Sequence, residues 1–258
     1  MKTILCSMID DNFVVAFKGF IKSLLKYNPN FNYTIRLIDA GINEYNKQVC
    51  KKYYKNIEFV KPKKENYKGL ILDITPVELK STYYKLDIFS YDDIDRLIFI
   101  DLDTLILGNI SYLFNLTAPI SGCLGYNVKG DRLRKDINSG VIVLNKPLIS
   151  EKIYTEILQL VHKKQGFSMP DQKAIKFYFK DNINNINKIY NCEKRLWKGT
   201  NYKIAFNSTK NLIYYSDSTS EAVKILHYVA GKPWQDKKDE FDKGYEDLEK
   251  LWWEYYNG

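Results

Sequence analysis

No apolar run in this 258-residue chain reaches bilayer-spanning length, and no secretion leader is visible, since Met1-Lys2 runs straight into a short apolar segment. The expectation is a reducing, cytoplasmic setting with no transmembrane segment. Cysteine is sparse: Cys6, Cys50, Cys123 and Cys192 stand far apart with no C-x-x-C spacing, which argues against a zinc site, a redox pair or a disulfide framework. Only two histidines occur, His162 and His227. No G-x-G-x-x-G follows the first apolar segment, so the usual dinucleotide fingerprint is missing. Internal repeats and low-complexity tails are absent as well.

What is present suits one large core. The chain is 45% hydrophobic, 27% charged and 15% aromatic, the balance of a globular protein of one domain. A formal charge of +8 favours an anionic partner but does not choose among a nucleotide, a nucleic acid and an acidic membrane surface. The basic residues form no continuous stripe interleaved with aromatics, so no nucleic-acid partner is expected.

Apolar spacing predicts strands over 3–8, 33–39 and 57–60, with helices over 13–27 and 43–54 between them. This β-α-β-α-β alternation predicts a doubly wound sheet with a ligand crevice at its carboxyl edge. From Pro76 the pattern turns helical, with Leu79, Tyr83, Leu86 and Phe89 on one stripe and Lys85 off it, either solvated or facing phosphate. Residues 127–136 read as a charged loop containing Gly130. Asn138-Ser139-Gly140 reads as turn chemistry opening a strand over 141–144. A helix follows over 149–164, ended by Gly166, and another starts at Pro170, where Asp171 fits a first-turn acid. Later strands, at 189–190, 202–206 and 212–215, are weak, and no second core is evident. A final helix over 236–256 carries Leu248, Leu251, Trp252 and Tyr255 on one side, a face for packing on the sheet in preference to a membrane or partner.

The organising stretch is Arg96-Leu97-Ile98-Phe99-Ile100-Asp101-Leu102-Asp103. It is an apolar run typical of a strand buried on both faces, and it stops on two carboxylates. Alternation along a strand points Asp101 and Asp103 the same way, so both can approach one hard divalent cation that shares its shell with substrate phosphates. The plainer reading is an acidic pair that ends a strand and caps the next helix. Near the C-terminus, His227 precedes Gly231-Lys232-Pro233-Trp234: a backbone able to approach a ligand, a charge for phosphate and a rigid apolar stop.

In order, Lys85, LIFIDLDTLILGNISYLF, INSGVIVLNKP, PDQ and LHYVAGKPW resemble the family 8 retaining glycosyltransferases, the group that includes glycogenin and galactinol synthase. The resemblance implies a single α/β domain of the GT-A type, a Rossmann-like doubly wound mixed sheet. It divides into a nucleotide-binding part (about 1–108), a donor and acceptor part (about 109–235) and a C-terminal helix (about 236–256). It implies Mn²⁺, with Mg²⁺ as the alternative ion, on Asp101, Asp103 and His227, bridging the diphosphate of a UDP-sugar. Ser7, Asp10 and Phe13 then fall where uridine is held, with Phe13 where glycogenin-like members carry tyrosine. Leu102 lies beside the metal ligands, and Lys85, Gly231 and Lys232 serve the diphosphate. Asn138, Ser139, Asp171 and Gln172 meet the donor sugar, Asp171 or Gln172 stabilising the reacting carbon. One departure stands out: the His-to-Lys spacing is one residue shorter than the family's common H-x-x-G-x-x-K-P-W. The implied activity moves a hexose, glucose first, to a hydroxyl on a glycan, protein or small molecule. A homodimer is implied by analogy alone. The alternative of a self-glycosylating primer would use a tyrosine such as Tyr190 or Tyr202.

Overall fold

The computed structural model describes residues 1–68, 70, 77–127, 132–164, 167, 169–216, 219–236 and 243–258. Pro76, the Leu79 side chain, Gly130, Gly166 and the 237–242 part of the expected last helix lie outside the described residues.

The chain opens with β1 (Thr3–Asp10), α1 (Val14–Tyr27), β2 (Thr34–Gly41), α2 (Glu44–Tyr53) and β3 (Ile57–Val60). Polar residues set its corners. The Asp10 carboxylate accepts from the Phe13 N–H at 3.0 Å, and the Asn43 side chain accepts from the Asn46 N–H at 2.9 Å, each satisfying a donor that the start of a helix leaves open. A 3₁₀ helix (Val77–Ser90) leads into β4 (Arg96–Ile100), β5 (Thr104–Ile106), α3 (Ser111–Phe114), β6 (Ile120–Tyr126) and β7 (Leu133–Asn145). Beyond β7 come α4 (Glu151–Lys163), α5 (Pro170–Phe179), β8 (Asn184–Asn185), β9 (Cys192–Glu193), β10 (Lys203–Phe206), β11 (Leu212–Tyr215), β12 (Ser220–Ala222), β13 (Ile225–His227) and α6 (Glu246–Asn257).

The main sheet has seven strands in the order β3-β2-β1-β4-β7-β6-β8. β1, β2, β3 and β4 run parallel, whereas β7 lies antiparallel to both β4 and β6. This is the doubly wound mixed α/β sheet that the alternation predicts. All five residues of β4 are buried, and their side chains divide between two apolar layers: Ile98 and Ile100 meet Phe17 and Phe20 of α1, while Leu97 and Phe99 meet Leu86 and Phe89 of the 3₁₀ helix.

Four expectations are corrected. The segment taken as a charged loop over 127–136 enters β7 at Leu133, so Asn138-Ser139-Gly140 lies inside a strand and not in a turn. The register slips between Gly122 and Cys123, which pair with Ile142 and Asn138, so Ser139, Gly140 and Val141 bulge out of the β6 pairing. Polar residues there conceal the strand because the bulge faces the site. The stripe of Tyr83, Leu86 and Phe89 is wound as 3₁₀, a geometry that superposes residues three apart. Residues 189–190 form part of a 3₁₀ turn (Lys188–Tyr190) and no strand. Finally, a third apolar cluster, including Leu105, Tyr126, Leu196, Ile204, Leu226, Tyr228 and Trp252, fills the space around the small sheets and α6.

α6 packs as its apolar side predicts. Trp252 is fully buried, its ring centroid 5.0 Å from that of Trp234, which in turn meets Phe13 at 5.7 Å. The Tyr255 and Tyr27 hydroxyls bond at 2.7 Å, tying α6 to α1. Among the described residues no helix is long and apolar enough to cross a membrane. Removing the Trp252 ring leaves a cavity, so Trp252→Ala should lower stability by about 3–5 kcal/mol, read as a melting-temperature drop of roughly ten degrees in calorimetry. A drop below about two degrees would show that α6 is not anchored through this ring.

Candidate active site

The site grows from the end of β4. The Asp101 N–H donates to the Gly140 carbonyl at 2.9 Å, extending the β4–β7 ladder one step past the strand, and the Thr104 hydroxyl donates to the Asp101 carbonyl at 2.7 Å, closing the turn between the two acids. The next element is β5 and not the helix that the plainer reading required. β5 pairs antiparallel with β13, setting Thr104 opposite His227, and the Tyr228 N–H donates to the Asp103 carbonyl at 2.8 Å. Backbone register thus delivers an imidazole from the far end of the chain to both carboxylates. His227 Nε2 lies 3.2 Å from Asp103 Oδ1 and 3.9 Å from Asp101 Oδ2. One ligand atom from each of the three residues fits within 4.8 Å of the others.

The imidazole is oriented from behind. His227 Nδ1 and Asn191 Oδ1 are 2.9 Å apart, which makes Nδ1–H the donor and aims Nε2 at the acids. The Asn191 amide donates to the Asn138 carbonyl at 3.1 Å and to Asn138 Oδ1 at 3.0 Å, and Asn138 Nδ2 donates to Glu193 Oε1 at 3.2 Å. At Gly140 any side chain would collide with the ring: a Cβ there would sit 2.2 Å from His227 Cε1. The glycine of the N-S-G element is therefore required by the histidine.

Lys85 is not solvated. It is 3% exposed, with Nζ 3.0 Å from Asp101 Oδ1 and 2.9 Å from Asp171 Oδ2, and it also donates to the Ser139 carbonyl at 3.3 Å. Burial pulls its pKa down, but Asp101 and Asp171 outweigh this and hold it above the ordinary lysine value. Asp171 is the first-turn acid of α5, as expected, but its Oδ2 is occupied by the Ser139 hydroxyl at 2.5 Å and by Lys85. Burial also acts on the metal-facing acids. It pushes Asp101 up, with Lys85 opposing, whereas at Asp103 Lys232 and His227 prevail and hold the carboxyl below the usual range.

The other expected residues fall around this centre. Lys232 pairs with Asp103 and donates to the Tyr228 carbonyl at 3.0 Å, so its ammonium reaches the acids in spite of the shortened spacing. The Gly231 carbonyl accepts from Lys194 Nζ at 2.5 Å. Ser7 is fully buried on β1 with its hydroxyl unpartnered, Asp10 is committed to its turn, and Phe13 stands edge-on to Trp234. The Leu102 side chain points into the core, leaving its backbone for any ligand. Gln172 Oε1 accepts from Arg134 Nη2 at 3.1 Å. His162 is occupied with the Asn66 carbonyl at 2.8 Å. Tyr190 stacks on Tyr112 with centroids 5.0 Å apart, and Tyr202 leans on Tyr126.

Asn191, Glu193 and Arg134 escape the sequence reading. Asn191 is placed by the pairing of β9 with β13, where Cys192 meets Leu226, and no local pattern carries that information. A buried aspartate–lysine–aspartate bridge thus stands beside an Asp-Asp-His cluster at the carboxyl edge of a doubly wound sheet. The model of glycosyl transferase family 8 matches residues 4–238, and the chain belongs to that family. It is 27% identical over 170 residues to glycosyltransferase GlyE of Streptococcus pneumoniae, covering 62% of this chain but only 37% of that protein. It is 26% identical over 255 residues to general stress protein A of Bacillus subtilis, covering 88% of this chain and 86% of that one. In fold it is similar to the galactosyltransferase LgtC solved with donor and acceptor sugar analogs, with a TM-score of 0.72, 20% identity, and coverage of 98% of this chain and 95% of that one.

Two carboxylates and one imidazole suit a divalent ion and leave positions for phosphate oxygens. Removing the group behind the imidazole should therefore loosen it. Asn191→Ala is expected to weaken Mn²⁺ binding by roughly 10–100-fold, measured by titration against free-ion electron paramagnetic resonance. An unchanged affinity would take Asn191 out of the support of the site.

Proposed function

We propose that the chain transfers a hexosyl group from a UDP-sugar to a hydroxyl acceptor, with retention at the anomeric carbon and with a divalent ion, Mn²⁺ first, held by Asp101, Asp103 and His227. The observation that carries this reading is the Lys85 bridge between Asp101 and Asp171. It sets a carboxylate for the metal and a carboxylate for the sugar on either side of one buried cation. The ion, when bound, supplies Lewis-acid stabilisation of the leaving diphosphate. The chain's own residues do the remainder. Lys85 and Lys232 bring positive charge to the place where the diphosphate gathers negative charge, in surroundings where burial strengthens the effect. Three carboxylates (Asp101, Asp103, Asp171) face these two ammonium groups, so an incoming cation and diphosphate can share the existing charges.

Asp171, neutralised by Lys85 and the Ser139 hydroxyl, is suited to stabilising an oxocarbenium-like centre electrostatically and less to attacking it. Gln172 stands beside it on the same helix turn. The acceptor hydroxyl attacks from the leaving-group side and passes its proton to a phosphate oxygen. Partly buried Phe13 is the group offered to the nucleoside, whereas the Ser7 hydroxyl is fully buried.

Thermal unfolding tests the donor site. In saturating Mn²⁺, UDP at about a hundred times its dissociation constant should add roughly 2.7 kcal/mol and raise the melting temperature by several degrees, whereas UDP with EDTA should do little. No shift with both present would overturn the reading. Asp101→Asn should reduce sugar transfer by about a hundredfold or more, with circular dichroism unchanged. Near-normal turnover would remove Asp101 from the metal site.

A further inference from the structure

The donor-sugar side of the cleft carries more positive charge than its acids can balance. Arg134, near the start of β7, crosses the face of β6 at Gly125, where a Cβ would lie 2.2 Å from Arg134 Nη2. Only a glycine leaves that path open. The guanidinium reaches Gln172 Oε1 at 3.1 Å, yet Arg134 Nε is buried with no hydrogen-bond partner. Lys188 lies within electrostatic reach of Arg134. It is 8% exposed, its Nζ is buried without a hydrogen-bond partner, and the ammonium rests 5.1 Å from the centroid of the Tyr126 ring. Burial pushes Lys188 down to about 8. Arg134 pushes the same way, against the pull of Cys123, Glu193 and Cys192.

Among the described residues the nearby acids are spoken for. Asp136 is paired with Lys173 and Lys176, and Asp171 with Lys85. Glu193 holds Arg195 at 2.7 Å with one oxygen, while the other accepts from Asn138 and from the Tyr126 N–H at 3.1 Å. Arg134 and Lys188 remain as two cations with open donors. Buried cations with open donors are unfavourable unless an anion completes them.

We infer that Arg134, with Lys188 behind it, forms a carboxylate subsite for the transferred sugar, so that the preferred donor is a nucleotide-activated hexuronic acid and not the neutral hexose first expected. The inference rests on the reading that this cleft holds a UDP-sugar. The diphosphate has its own cations in Lys85 and Lys232, which leaves these two for the sugar. Gln172 connects the subsite to Asp171: both lie in the first turn of α5, and Arg134 bonds directly to Gln172. A planar guanidinium is the group best matched to a carboxylate, since it can donate two parallel hydrogen bonds.

Calorimetric titration in Mn²⁺ with UDP, UDP-glucose and UDP-glucuronate tests this, with the UDP affinity as internal reference for an intact nucleotide site. The wild-type chain should bind UDP-glucuronate about tenfold or more tighter than UDP-glucose, the range of a charge-assisted hydrogen bond. Arg134→Met should erase that preference, and Lys188→Met should reduce it. Tight UDP binding with equal affinity for both sugars, or a preference that survives both substitutions, overturns the carboxylate subsite alone. Absence of UDP binding to the wild-type chain overturns the subsite together with the reading beneath it.

Discussion

Three carboxylates crowded under one sheet edge need cations buried beside them, and Lys85 is the cation on which this arrangement turns. A lone ammonium at 3% exposure would be strongly unfavourable, and so would Asp171 at 4%. Together, with the Ser139 hydroxyl and carbonyl taking up the remaining valences, they form a satisfied unit. That unit joins elements from three stretches of sequence: the 3₁₀ helix that carries Lys85, the bulge in β7 and the first turn of α5. The sheet supplies the platform, but this ionic knot fixes the distance between the Asp101 and Asp171 sides of the cleft.

A second constraint comes from the pairing of β5 with β13. A histidine on a loop would leave its ring free to rotate. Here the ring is fixed by a backbone ladder on one side, the Asn191 amide at Nδ1 and the bare backbone of Gly140 against its edge. Each of these is a reason why the ring has one orientation, and orientation of the ligand is what lets a weak donor set act as a metal site.

Much of this was legible in the sequence. The strand ending in Asp101-Leu102-Asp103, the alternation of the first sixty residues and the sheet class followed from periodicity, because burial on both faces leaves an uninterrupted apolar run. His227 and Lys85 stand out in the sequence, but only resemblance gives them roles; on residue pattern alone Lys85 reads as solvated or as facing phosphate. The pattern leaves this open because an apolar stripe says which face is buried and is silent about a polar residue buried by its partners. The N-S-G bulge read as a turn for a similar reason, since a strand that lines a polar site loses the alternation by which strands are recognised. Asn191, Glu193 and Arg134 gave no signal at all, being placed by pairings between residues remote in the chain.

The row of rings from Trp252 through Trp234 to Phe13 has a consequence for synthesis. It joins the last helix to the first turn, just as Asp101 is joined to a histidine 126 positions later (Asp101 to His227). Contacts of such separation form late, after a long loop has been closed. While the chain is still emerging, the early strands can assemble, but the Asp101-Asp103-His227 cluster is incomplete and Phe13 lacks its aromatic backing. Closure of the cleft around Asp101 and Phe13 therefore waits on the arrival of His227, Trp234 and Trp252.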